Sequence, residues 1–196
     1  MKIAIIKYNA GNIRSVLYAL ERIGHEAVVT DNADEIKNAD KVIFPGVGEA
    51  STAMNYLKDR NLDKLIYSLT QPVLGICLGM QLMCRYSEEN DTACLGIFEE
   101  PVKKFKIQNV KFKIPQIGWN SINNLKTDLF KNITENSYCY FVHGYYASVG
   151  QHTIATTDYI QPYSSALQKG NFYGVQFHTE KSAAAGEQIL KNFIEL

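Results

Sequence analysis

The sequence has no apolar run near the roughly 18–20 residues that a bilayer-spanning helix needs. Its opening, MKIAIIKYNAGN, places only four apolar residues between Lys2 and Lys7. That is too short for a signal-peptide core, so the segment reads as a first β-strand and the expected location is cytoplasmic. An excess of charge of one sign is also missing: Lys+Arg and Asp+Glu both number 20. A net charge of zero argues against a polyanionic partner such as nucleic acid and leaves a small metabolite or another protein. Cysteine is sparse. Cys77, Cys84, Cys94 and Cys139 form no CxxC pair, and none stands at zinc-finger spacing from a histidine. No metal site and no cofactor is therefore expected, and in a reducing compartment all four are free thiols. There is no repeat, low-complexity tract or linker. One domain over residues 1–196 is long enough to bury a sizeable core.

What the sequence does contain is a strand–helix alternation. Residues 2–8, 26–30, 41–44 and 72–76 are short apolar runs of the kind that form buried strands, the third stopped by Pro45-Gly46. Between them Ile13, Val16, Leu17, Leu20 and Ile23 share one helical face, ended by Gly24. Helical patterns also run through 49–58 and 61–69, and another helix starts near Leu78. The second half is richer in strands, with candidates at 97–107, 110–114, 137–149, 152–157 and 165–178, before a closing helix at 182–196 with Ser182 as N-cap. The fold class expected is α/β: a mostly parallel central sheet with helices on both faces plus an antiparallel strand section. Ligands of such sheets bind at the carboxyl ends of the strands, so the turns at 9–12, 45–48 and 75–79 should converge.

Gly75-Ile76-Cys77-Leu78-Gly79 has the form G-x-C-x-G, the cysteine counterpart of the G-x-S-x-G nucleophile elbow. The turn predicts an exposed thiol at a helix N-terminus, where the dipole favours thiolate, with the Leu78 N–H facing a developing oxyanion. Taken alone, the motif is read equally well as a buried cysteine between packing glycines. A cysteine hydrolase also needs a base. Of His25, His143, His152 and His178, only His178 has a carboxylate two residues on, Glu180. Along an extended segment, i and i+2 point to one side, so Glu180 can orient the imidazole as the Asp does in a serine triad. A surface ion pair is the commoner meaning of an isolated His-x-Glu; the pair gains weight beside Cys77.

Gly75-Ile76-Cys77-Leu78-Gly79-Met80-Gln81 together with Gln176-Phe177-His178-Thr179-Glu180 resembles the class I (triad) glutamine amidotransferases. Pro45-Gly46-Val47-Gly48, Pro115-Gln116-Ile117-Gly118-Trp119-Asn120 and Tyr140-Phe141-Val142-His143-Gly144-Tyr145 narrow the resemblance to the glutaminase subunits of imidazole glycerol phosphate synthases, from histidine biosynthesis. The resemblance runs from the first strand to the closing helix. It implies Cys77 as nucleophile, His178 as base and Glu180 as orienter, in agreement with the chemistry read from the residues. It further implies the Val47 N–H as a second oxyanion donor opposite Leu78. Gln81, Glu89 and Tyr145, with the Gly48 backbone, would contact substrate glutamine. The implied partner is a TIM-barrel cyclase, forming a heterodimer that takes the ammonia, with Asn12, Trp119, Tyr140 and Lys181 at the interface. The lysines at 103, 104, 106, 111 and 113 read mainly as a solvated strand face.

Three positions depart from the family pattern. Thr179 replaces the usual Pro between the triad members, Gly144 replaces Ser or Thr, and Lys7 stands where many members have Asp. Other readings are a paralogous glutaminase feeding a sugar-amidating enzyme, an unrelated cysteine hydrolase such as a peptidase, and a flavodoxin-type binding module using the 9–12 turn.

Overall fold

The computed structural model describes residues 1–9, 12–106 and 112–196. The first half alternates as expected: β1 (Ile3–Ile6), α1 (Ile13–Arg22), β2 (Val28–Thr30), α2 (Ala33–Lys37), β3 (Lys41–Gly46), α3 (Ala50–Asp59), α4 (Leu62–Tyr67), β4 (Val73–Cys77) and α5 (Leu78–Met83). The second half contributes β5 (Cys84–Ser87), β6 (Thr92–Ala93), β7 (Phe98–Lys104), β8 (Gln116–Ile122), β9 (Ser137–His143), β10 (Tyr145–Ala147), β11 (Thr153–Asp158), β12 (Pro162–Lys169), β13 (Phe172–Val175) and α6 (Ala183–Glu195).

Among the described residues, the main sheet runs β2-β1-β3-β4-β13-β12-β10-β7-β5-β6, with β11 alongside β12. Strands β2 to β13 in that order are parallel, and the sheet turns antiparallel at β13–β12. Strands β8 and β9 form a separate antiparallel ribbon. Period-2 alternation divides each central strand between two cores. Ala4, Ile6, Val42 and Phe44 pack with α2, α3, α4 and α5 on one face. Ile3, Ile5, Ile43, Leu74 and Ile76 pack with α1 and α6 on the other. Ile5, Ile43 and Leu74 are fully buried, each contributing about 1.5–3 kcal/mol of transfer free energy.

The second half departs from the expected strand boundaries for local reasons. Residues 137–149 are two strands, because the chain crosses from the ribbon to the main sheet at Gly144. Residues 165–178 conceal a hairpin: Gly170 at φ 57 and Asn171 turn β12 back into β13, a two-residue loop that needs positive φ. Pro45-Gly46 does not stop β3, which continues until Gly46 pairs with Cys77 of β4. Of the strand expected at 110–114, residues 110 and 111 lie outside the described residues and 112–114 form no strand; residue 107, the end of another expected strand, also lies outside, as do residues 10 and 11 of the first turn. Lys103, Lys104, Lys106 and Lys113 are exposed, as a solvated face requires, and Lys111 lies outside the described residues. Ser182 precedes α6 but does not cap it. Its hydroxyl donates to the His178 carbonyl at 2.6 Å and accepts from the Tyr140 N–H at 2.9 Å.

At Gly79, α5 comes up close against β3. A Cβ on Gly79 would fall inside the contact radius of the Phe44 carbonyl oxygen. At Gly144 the nearest atoms to an added Cβ are Ile114 Cγ2 at 3.7 Å and Pro115 Cβ at 4.0 Å, ordinary contact. Gly79→Ala should therefore lower stability by at least about 1–3 kcal/mol, whereas Gly144→Ala should leave it within about 0.5 kcal/mol. Equilibrium denaturant unfolding checks this; equal midpoints for the two variants would contradict the packing described.

Candidate active site

Cys77 ends β4 and opens α5 with φ 54 and ψ −109. A non-glycine residue in this region carries strain of about 1–3 kcal/mol. The neighbours impose it. The Gly46 pairing fixes the end of β4, and Gly79 admits the Phe44 carbonyl. Gly75 leaves space where a Cβ would meet Met80 N at 2.8 Å. The elbow expected from G-x-C-x-G is thus present, but the thiol is not exposed: Cys77 is 6% accessible and opens into a small cavity. Cys84 begins β5, and it and Cys139 are buried while Cys94 is half-buried.

His178 reaches Cys77 from the far side of the chain: the two line the same small cavity, and Cys77 is among the groups that raise the His178 pKa. Its Nδ1 lies 2.8 Å from Glu180 Oε1, and both side chains are almost wholly buried. The carboxylate meets the ring through a 3-10 turn at Thr179–Lys181, not through an extended segment. Thr179 is accommodated in that turn, whose carbonyl packs against Gly186 at a distance that admits no side chain there. Burial pushes the His178 pKa down, but the hydrogen bonds and charges of Cys77 and Glu180 outweigh it and raise the value to about 10. A buried thiol, an imidazole and a carboxylate in contact can hold a thiolate–imidazolium pair. The carboxylate has a further partner in Asn12, whose amide donates to Glu180 Oε1 and lies 3.5 Å from His178 Nδ1. Asn12 itself adopts φ 76 and does not cap α1.

The cavity, about 180 Å³, is lined by Val47, Gly48, Cys77, Leu78, Gln81, Glu89, Val142, His143, Gly144, Tyr145 and His178. Every residue expected at the nucleophile, oxyanion and glutamine positions except Glu180 therefore lines one space, and Glu180 lies behind His178. Gly48 has φ 117, a conformation that suits glycine and turns the Val47–Gly48 backbone over the cavity. Glu89 accepts from the Ala50 N–H at 2.8 Å, at the start of α3. Burial raises its pKa, the Ala50 hydrogen bond opposes this, and Glu49 adds to the rise. Gln81 donates both amide protons within the protein, to the Tyr145 carbonyl at 2.9 Å and to Gln176 Oε1 at 2.8 Å. Only its oxygen is left to face a ligand.

The four residues expected at a partner interface lie behind the triad. Trp119 and Tyr140 pair on the β8–β9 ribbon with ring centroids 5.8 Å apart, and Lys181 Nζ lies 5.9 Å from the Tyr140 ring. Trp119 is 52% exposed, and Ile117 and Tyr138 extend the apolar surface of the ribbon. The Tyr140 carbonyl accepts from the His178 N–H at 2.9 Å, so ribbon and triad share a hydrogen bond.

Sequence reasoning assigned no role to two residues at the site. Gln176 is fully buried with its amide nitrogen 3.7 Å from Cys77 Sγ. Val142 offers its carbonyl to the thiol at 3.8 Å. The available signal for Gln176 was a lone polar side chain between Val175 and Phe177, just past a strand buried on both faces; nothing in the sequence marks a backbone carbonyl such as that of Val142. Among the described residues no group of side chains could hold a metal ion, and no helix is long and apolar enough to cross a membrane.

The family profile for "Glutamine amidotransferase class-I" matches residues 4–196. Imidazole glycerol phosphate synthase subunit HisH of Bacteroides fragilis is 61% identical over 196 residues, covering all of both chains. The subunit of the same name from Bacteroides thetaiotaomicron is 57% identical, again over the whole of both chains. A crystal structure of a glutamine amidotransferase superposes with a TM-score of 0.74 at 15% identity, covering 98% of this chain and 97% of that one; at that identity the likeness speaks for the fold alone. Sequence and architecture thus agree, and the chain belongs to the class-I glutamine amidotransferases, in the branch of the HisH subunits of imidazole glycerol phosphate synthase.

Proposed function

We propose that this chain is a cytoplasmic glutaminase subunit: it hydrolyses glutamine to glutamate and ammonia and passes the ammonia to a cyclase partner in histidine biosynthesis. The single observation that carries the reading is a cavity of side-chain size lined by both Cys77 and His178, with Glu180 bonded to the far nitrogen of the His178 ring. Cys77 Sγ attacks the side-chain amide carbon of glutamine. The carbonyl oxygen becomes an oxyanion facing the N–H groups of Leu78 and Val47. His178 gives its proton to the departing nitrogen, the C–N bond breaks, and ammonia leaves a γ-glutamyl thioester on Cys77. His178, now neutral, takes a proton from water. The resulting hydroxide adds to the thioester and the C–S bond breaks to give glutamate and the starting thiolate–imidazolium pair. Glu180 holds the ring throughout, and Asn12 holds Glu180. Glu89 would take the substrate ammonium, the Gln81 oxygen would accept beside it, and Gly48 and Tyr145 would bound the rest.

Ammonia is mostly protonated in neutral water and useless there as a nucleophile, so direct transfer to an acceptor protein suits the chemistry. The exposed Ile117, Trp119 and Tyr138 with Tyr140 and Lys181 offer a surface for that partner, proposed as the TIM-barrel cyclase of a heterodimer. The HisH subunits at 57% and 61% identity favour this over a sugar-amidating paralogue.

Cys77→Ala should cut ammonia release from glutamine by at least roughly 10³-fold, measured with the cyclase and its nucleotide ligand present. Retained turnover would end the proposal. Glu180→Gln should be about tenfold to a hundredfold milder than His178→Ala, because it weakens orientation without removing the base; equal loss in steady-state assays would give Glu180 a larger part.

The triad also predicts a pH dependence of stability. The folded pKa of His178 is raised from 6.5 to about 10. Its contribution is therefore fully present below pH 6.5 and fades as pH climbs towards about 10. His178→Ala should flatten that decline in denaturant unfolding, and an unchanged slope would contradict the raised value.

A further inference from the structure

A chain of buried side chains leads to the nucleophile independently of His178. It starts at the Tyr145 carbonyl, which receives two donors, His143 Nδ1 at 2.7 Å and Gln81 Nε2 at 2.9 Å. A carbonyl oxygen only accepts, so the atoms facing it carry protons. This fixes the tautomer of His143 and the orientation of Gln81. The same Gln81 nitrogen lies 2.8 Å from Gln176, which must present its oxygen to it. The other end of that carboxamide, the nitrogen, then faces Cys77 Sγ at 3.7 Å. Gln81, His143 and Gln176 are all buried, and the far nitrogen of His143 lies 3.2 Å from the Tyr163 hydroxyl. The orientation of Gln176 is thus dictated by a backbone carbonyl two side chains away.

An amide N–H aimed at sulfur stabilises a thiolate more than a thiol, because a hydrogen bond to a charged acceptor is the stronger. Buried between Val175 and Phe177 just past the end of β13, a glutamine costs desolvation unless both ends are paired, and here both are. We propose that Gln176 is a donor to the nucleophile, holding Cys77 Sγ and favouring its thiolate, and that Gln81 is the positioning residue that aims it. The inference rests on Cys77 being the nucleophile. The sulfur then has the neutral amide of Gln176 at 3.7 Å as a donor and the Val142 carbonyl at 3.8 Å, with His178 lining the same cavity. The other titratable groups around it are Tyr8, coupled to it by charge, Glu180 behind His178, and His143 and Glu89 across the cavity. Burial pushes His143 down to about 4, so His143 adds no positive charge at neutral pH.

The test is the pH dependence of Cys77 alkylation by iodoacetamide in the full chain, mapped by peptide mass, for the parent, Gln176→Met and Gln176→Glu. Met is an apolar replacement of similar length. Glu keeps the bond from Gln81 but turns lone pairs towards sulfur. Gln176→Met should react about tenfold more slowly at neutral pH and match the parent at alkaline pH, where the thiol ionises unaided. Gln176→Glu should shift the profile further in the same direction. Either variant alone suffices if the other fails to fold. Superposable profiles, or a slowing that is the same at every pH, would overturn the proposal, the latter because it reports access to the thiol and not its ionisation. Failure of the glutaminase reading shows elsewhere, as ammonia released by Cys77→Ala.

Discussion

The site depends on how closely helix α5 can approach strand β3. Gly79 sits against the Phe44 carbonyl with no space for a side chain, while Gly46 pairs with Cys77 across the β3–β4 ladder. Together these contacts force Cys77 into a positive-φ conformation that its own side chain disfavours. The strain belongs to the surroundings: a parallel ladder on one side and a helix start on the other leave the thiol one direction, into the cavity. Because β13 lies next to β4, with Val175 beside Ile76, the chain leaving β13 carries Gln176 and His178 to the same strand ends. The meeting of residues about a hundred positions apart is therefore a consequence of strand order.

Once the groups meet, burial sets their chemistry. Desolvation alone would keep His178 neutral, and a neutral imidazole beside a neutral thiol is a weak starting point for attack on an amide. Cys77 and the carboxylate of Glu180, the latter itself held by Asn12, reverse that preference. His143 shows the opposite outcome. It is buried among Phe105, Phe141 and Tyr163 and hydrogen-bonded to a carbonyl and a hydroxyl, with no carboxylate near enough to reverse the effect, so its pKa falls to about 4. Two histidines at one cavity thus take different charge states for reasons visible in their neighbours. The Tyr140 carbonyl, bonded to the His178 N–H, ties the exposed aromatic ribbon directly to the triad.

The parallel half of the fold was legible because buried strands read as continuous apolar runs and the helices between them carry a clear 3.6-residue period. The antiparallel half was less so. Gly144 lies inside one apolar stretch, where the alternation continues across a break that only long-range pairing reveals; at Gln168-Lys169-Gly170-Asn171 the polar run and its Gly-Asn pair were a local hairpin signal that the single expected strand passed over. At the site, Cys77, His178 and Glu180 could be chosen from residue type and spacing; Cys77 and His178 line one cavity, and Glu180 is bonded to His178. The reason offered for the His–Glu contact, an extended segment, was not the one found, since a 3-10 turn joins them. The burial of Cys77 was also missed, because the elbow motif specifies a sharp turn but not what covers it. Gln176 was within a quoted motif yet had no role, as its partner Gln81 is nearly a hundred positions away and only the fold supplies it.

The most direct test of the nucleophile is to trap it. With glutamine and the cyclase present, acid quenching during turnover followed by peptide mass mapping should find a γ-glutamyl group on the peptide that carries Cys77 and on no other cysteine. A glutamyl group on Cys84, Cys94 or Cys139, or turnover with no acylated peptide under conditions where the thioester survives the quench, would contradict the account.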